Sequence, residues 1–110
     1  MEQDLTKKRC LPCEGGVPPL EPSAIEAYLK KLPSWSLEGK TIVKEFGFAD
    51  FKAALSFVNQ VGELAEGEGH HPDIHIHYNK VRLEIWTHFI GGLSENDFIL
   101  AAKIDELGGR

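Results

Sequence analysis

The chain has 110 residues, 42% hydrophobic and 26% charged, which is enough for one domain around a single core and too little for two. That balance excludes a disordered chain, and no apolar run approaches the roughly 20 residues that span a bilayer, so no membrane partner is expected. A net charge of −5, with the 12 Lys and Arg scattered rather than gathered in a stripe, argues against direct nucleic-acid binding, whose affinity comes largely from phosphate contacts.

The opening "MEQDLTKKRC" contains no apolar stretch that could serve as a secretory signal, so a cytoplasmic location is expected. Four of the six prolines, Pro12, Pro18, Pro19 and Pro22, fall in the first 22 residues and predict an extended arm without regular structure over 1–22. Both cysteines lie there, in "CLPC". Cys10 and Cys13 supply half of a tetrahedral zinc site with no second pair to complete it, and they lack the strand-to-helix context of a redox motif. Reduced thiols, a zinc site shared between subunits and a redox-sensitive pair all remain open for them.

The folded domain is expected over 23–110. "SAIE" has the form of a capping box, with Ser23 and Glu26 exchanging hydrogen bonds, and Ile25, Tyr28, Leu29 and Leu32 then recur at helical spacing until Pro33. Trp35, Leu37, Ile42, Phe46 and Phe48 alternate with polar or small residues around Gly39, which predicts a β-hairpin. Asp50 is placed to cap a long helix with an apolar stripe of Phe51, Leu55, Val58 and Ala65, ended by Gly67 and Gly69. A second hairpin follows: Ile74, Ile76 and Tyr78 alternate with His75 and His77, "NK" forms the turn, and Val81, Leu83, Ile85 and Thr87 alternate with Arg82, Glu84, Trp86 and His88. "GGLSEND" breaks it, and Ser94 caps a last helix whose inward face carries Asp97, Leu100, Ala101, Ile104 and Leu107. The order α-β-β-α-β-β-α predicts an α+β two-layer sandwich, a four-stranded antiparallel sheet with three helices on one face. Such a sheet has two edges, and an edge open to pairing makes a homodimer or homotetramer the expected assembly.

Four of the five histidines, His70, His71, His75 and His77, sit within eight residues. His75 and His77, two apart on a strand, share a face and could hold a metal ion with His88, Glu84 or another carboxylate. A solvated strand face explains them as well, since an imidazole on the polar side of an amphipathic strand needs no ligand. His70 and His71 differ. They follow a helix-ending glycine, Pro72 holds His71 extended, and two imidazoles in one pocket are not both protonated cheaply, which suits acid/base work. His88, at the end of the last strand, could face the same pocket, whereas a purely structural role at the helix terminus accounts for His70 alone. No Gly-rich phosphate loop and no GxSxG is present. Trp35 and Trp86 could stack on a flat heterocycle, although core burial is the commoner use of tryptophan.

Taken together, "EGEGHHP", the "YNKV" that starts eight residues after His70, "THFIGGLSENDFILAA" and "PSWSLEG" resemble the pterin-4a-carbinolamine dehydratases from Ser23 to about Leu107. The "CxPCEGGVPPL" arm is similar to that of a bacterial and plant-type branch of the family. The resemblance implies the α+β fold above and a cofactor-free, metal-free hydro-lyase. Such an enzyme converts 4a-hydroxytetrahydropterin, the carbinolamine left by aromatic amino acid hydroxylases, into quinonoid dihydropterin in pterin recycling. It implies His70, His71 and His88 as the catalytic set, with Glu66 and Asp97 as the matching acidic residues. Gly69, Pro72, Trp86, Thr87 and Phe89 are the further positions it places around the substrate. Gly69 stands where some relatives carry an acidic residue, and Ile74 where some carry tryptophan. Two other functions compete: a protein-binding module of the transcription-factor dimerisation type known among relatives of the fold, and a metalloprotein built on His75 and His77 with or without Cys10 and Cys13.

Overall fold

The computed structural model describes residues 5–8, 10 and 18–108. Its elements are α1 (Pro22–Lys30), β1 (Ser36–Glu38), β2 (Thr41–Gly47), α2 (Phe51–Glu68), β3 (Asp73–His77), β4 (Lys80–Ile85) and α3 (Glu95–Gly108). The strands form one antiparallel sheet in the order β1-β2-β4-β3. The two hairpins therefore join through β2 and β4, in a register that sets Ile42 opposite Ile85 and Phe46 opposite Val81. The result is the expected α+β architecture.

Strand alternation decides which face is dry. Ile42, Phe46, Val81, Leu83 and Ile85 point to the helices and are buried. The opposite face is charged: Arg82 bridges Glu84 on its own strand at 2.8 Å and Glu38 on β1 at 2.7 Å. The hydrogen bond from Arg82 holds the Glu84 carboxyl below its ordinary range. β1 is a three-residue edge strand, and its Leu37 is exposed although Leu37 belongs to the alternating apolar set.

Several local expectations meet corrections. α1 begins at Pro22, with Glu21 as an extended N-cap that makes no side-chain cap bond. Proline's fixed φ suits the first helical turn, and its missing N–H needs no partner there, so Ser23 lies inside the helix rather than at the cap of a box. Asp50 does cap α2, its carboxylate accepting from the Ala53 N–H at 2.8 Å. The buried stripe of α2, however, is Ala54, Phe57, Val61 and Ala65, whereas Phe51 and Leu55 are 46% and 38% exposed. Small Ala54 and Ala65 let the helix approach its neighbours closely, and Phe57 fills the space between, its ring 4.7 Å from Phe46 and 5.0 Å from Phe48.

The second hairpin turns at Tyr78 and Asn79, not at Asn79 and Lys80, because Lys80 already pairs with His77. Tyr78 takes a left-handed φ of 54° there. Asn79 sits in that place because its side-chain amide donates to the Phe48 carbonyl at 3.0 Å while its own carbonyl accepts the Phe48 N–H at 2.8 Å. In the N-terminal segment, Leu5–Lys7 forms a turn of 3-10 helix and Leu5 enters the core, so the arm is not without regular structure there. Cys13 and Pro12 lie outside the described residues. Among the described residues no helix is long and apolar enough to cross a membrane.

Candidate active site

Two junctions of the chain build one cleft. The first is the end of α2, where Gly69 adopts a left-handed φ of 68° and its N–H returns to the Ala65 carbonyl, closing the helix. The His70 N–H shares that carbonyl at 3.2 Å, so the ring of His70 leaves from a pinned backbone. The second junction runs from β4 to α3. A 3-10 turn at His88–Ile90 ends on Gly91 in the left-handed region, and Thr87 and Gly92 bridge to close the loop.

Asp97 connects the two junctions. It lies in the first turn of α3 with no solvent exposure, on the inward face that its spacing predicts. One carboxylate oxygen, Oδ2, accepts from the Ser94 N–H at 2.8 Å and from the Thr87 hydroxyl at 2.9 Å. The Ser94 hydroxyl in turn lies 2.9 Å from that of Thr87. The other oxygen, Oδ1, is 2.6 Å from Nε2 of His70, whose side chain is 11% exposed. A carboxylate accepts, so in this contact Nε2 of His70 carries the hydrogen and Nδ1 takes no part in the bond. Carboxylate and imidazole thus fix each other's orientation.

His71 is held more loosely. Its Nε2 lies 2.6 Å from Glu66, with side chains 57% and 79% exposed, a pair worth little to stability in that solvent. His88 packs against Trp86 with the rings tilted by 36° and their centroids 3.9 Å apart. Gly69, His70, His71, Trp86, Thr87, His88 and Phe89 line a cleft of about 530 Å³ together with Cys10, Glu68 and Asn96. Glu66 stands behind His71 and Asp97 behind His70, outside the lining, and Pro72 is also outside it, so its part is to hold the backbone of His71 extended. A shallower depression of about 740 Å³ on the other side is lined by Glu66 and also touches His71, whereas the first cleft joins three imidazoles.

Cys10, Glu68 and Asn96 are lining residues that sequence reasoning missed. Cys10 and Glu68 are separated by 58 positions, and no local pattern connects them. Burial, and then the neighbouring Glu68 carboxylate, pushes the Cys10 thiol up to about 12. His75 and His77 are exposed and lie outside the cleft, with His75 Nε2 3.4 Å from Glu84 on the charged sheet face. Among the described residues no group of three His, Cys, Asp or Glu side chains is arranged to hold a metal ion.

Comparison with known proteins gives the chain's family. The model of the family described as pterin 4 alpha carbinolamine dehydratase matches residues 18–107. A protein of Nitrosospira multiformis that carries pterin-4-alpha-carbinolamine dehydratase as a provisional name is 52% identical over 104 residues, covering 94% of this chain and 92% of that protein. A relative from Halorhodospira halophila with the same provisional name is 52% identical over 106 residues, 94% and 97% of the two chains. Among solved structures, a transcriptional coactivator/pterin dehydratase from Brucella melitensis superposes with a TM-score of 0.78 at 32% identity, over 83% of this chain and 99% of that one. The chain belongs to the pterin 4 alpha carbinolamine dehydratase family.

Proposed function

We propose that the chain dehydrates 4a-hydroxytetrahydropterin to quinonoid dihydropterin and water, with His70, His71 and His88 moving the protons. The observation that carries this is the convergence of three imidazoles in one cleft, one of them bonded to a fully buried carboxylate. Its volume, about 530 Å³, is in the range for a small heterocyclic ligand, and Trp86 and Phe89 offer it flat apolar faces.

The reaction is proton bookkeeping around one C–O bond. The N5 lone pair assists departure of the hydroxyl from C4a, an acid protonates the leaving oxygen to water, and a base takes the proton from N5 as the C4a–N5 double bond forms. General acid/base catalysis of each transfer is worth roughly 10²–10⁴-fold. Because N5 supplies the electron push and the leaving group needs only a proton, the proposed chemistry involves neither metal nor cofactor. His70 presents Nδ1 for such a transfer because Nε2 is committed to Asp97. His71 and His88 are exposed enough to exchange protons with solvent between turnovers.

The test is the dehydration rate of 4a-hydroxytetrahydropterin, generated in situ by a hydroxylase, with chelator-treated protein in substoichiometric amount. The expected result is a rate clearly above the spontaneous one, with a fall of about 10²-fold or more in kcat for His70→Ala, His71→Ala or His88→Ala in folded protein. An unchanged rate in all three variants would remove the mechanism. The description of the Brucella melitensis protein as a coactivator as well as a dehydratase supports a second reading for this chain, protein binding through surfaces outside the cleft. His70→Ala protein that loses turnover yet keeps a protein partner would separate the two.

A further inference from the structure

The N-terminal segment takes no part in the proposed reaction, yet its described residues make contacts that a loose tail would not. Leu5 is 5% exposed within the core. Lys8 pairs with Glu95, which also accepts from the Tyr28 hydroxyl at 3.0 Å. The Cys10 backbone N–H donates to Oε1 of Glu68 at 2.9 Å, and its thiol lies 3.5 Å from the Asn96 carbonyl. Further along, the Leu20 N–H donates to the Leu93 carbonyl at 2.8 Å. Pro19 packs so closely on Gly92 that a Cβ there would lie 2.7 Å from the Cβ of Pro19.

These contacts land on the two junctions that build the cleft. Glu68 ends α2 two residues before His70, and Asn96 precedes Asp97 on α3. The second oxygen of Glu68 accepts from Lys103 of α3, with side chains only 10% and 14% exposed for Glu68 and Lys103. A carboxylate so enclosed needs charge-assisted partners, and its two oxygens take one from α3 and one from the N-terminal segment. Cys10, Glu68 and Asn96 all line the cleft.

We propose that Cys10 is a fixed wall of the cleft and that Glu68 is the positioning residue that holds it there. This rests on the reading of the cleft as the pterin site. A bound pterin would meet the wall equally before and during reaction, so loosening the wall raises KM and spares kcat. The bond between His70 and Asp97 uses none of these atoms, which is why kcat should be insensitive.

The test compares Glu68→Gln, which keeps an oxygen for the Cys10 N–H, with Glu68→Leu, which removes it, in the full-length protein. Two quantities are measured: KM and kcat for dehydration, and the rate of Cys10 alkylation by iodoacetamide, read by peptide mass mapping. Glu68→Leu is expected to raise KM about tenfold, the loss of one hydrogen bond to a charged group, with kcat within about threefold of wild type. It should also speed Cys10 alkylation by on the order of tenfold, and Glu68→Gln should restore most of both. Faster alkylation with an unchanged KM would show that Cys10 is not a wall of the working cleft. Lowered thermal stability with both readouts unchanged would show a merely structural ion pair, and either result overturns the proposal. If wild-type protein fails to accelerate dehydration, the proposed function falls, while Cys10 alkylation still decides whether Glu68 holds Cys10 in place.

Discussion

Replacing Asp97 with asparagine separates its two jobs. Asp97 accepts from the Ser94 N–H and the Thr87 hydroxyl through Oδ2, and faces Nε2 of His70 through Oδ1 at 2.6 Å, with no solvent exposure. Asparagine is nearly isosteric. Its amide oxygen can take the place of Oδ2 and keep the loop and the helix start closed, while its NH2 group then faces His70. Two donors cannot share that contact, so His70 must move its hydrogen to Nδ1 and accept at Nε2, which leaves the wrong nitrogen for the proton transfer. The stability cost is that of one charge-assisted bond exchanged for a neutral one, about 1 kcal/mol, or roughly 4–8 °C in Tm for a domain of about this size. The rate cost is the loss of one acid/base partner, about 10²-fold or more in kcat. Alanine behaves differently: it strands buried donors at roughly 1–3 kcal/mol each, so stability and rate fall together. The assay is kcat for dehydration beside a thermal melt. A folded Asp97→Asn protein with kcat within about threefold of wild type would refute the orienting role and reduce Asp97 to a helix cap.

Three further outcomes are expected. Phe57→Ala, which removes a buried ring packed against Phe46 and Phe48, should cost about 3–5 kcal/mol in a urea titration and far exceed the effect of truncating exposed Phe51. Gly69→Ala should cost about 1–2 kcal/mol from its left-handed backbone alone, because nothing lies within 4 Å of the added Cβ. Glu95 is held below its ordinary value of 4.5, chiefly by the Lys8 hydrogen bond and also by Tyr28, with burial opposing. A depressed carboxyl contributes stability that is complete above its unfolded value and is lost as pH falls through the lower folded value. Melts between about pH 5 and pH 2 should therefore show a shallower acid decline for Glu95→Gln than for wild type.

How much of the site the sequence shows depends on how local each cause is. The HHP motif after a helix-ending glycine and the aspartate on the inward face of the last helix are local patterns, and the structure puts His70 and Asp97 in contact across 27 positions. The stripe of α2 is not legible locally, because Phe51, Leu55 and Val58 satisfy helical periodicity as well as Ala54, Phe57 and Val61 do. Only the position of the sheet and α3 selects between them. The capping box at Ser23 lost to Pro22, a competition between two valid start signals one residue apart.

Sequence by itself therefore determined the elements, their order, the dry face of β4 and the histidines worth testing, because periodicity, turn residues and caps act over a few residues. Tertiary structure alone decided that β2 pairs with β4, that His75 and His77 stand away from the cleft, and that Cys10, Glu68 and Asn96 complete its lining. Those facts come from packing between residues up to 87 positions apart, as between Lys8 and Glu95, and no short-range pattern encodes a contact whose partner is chosen by the shape of the whole core.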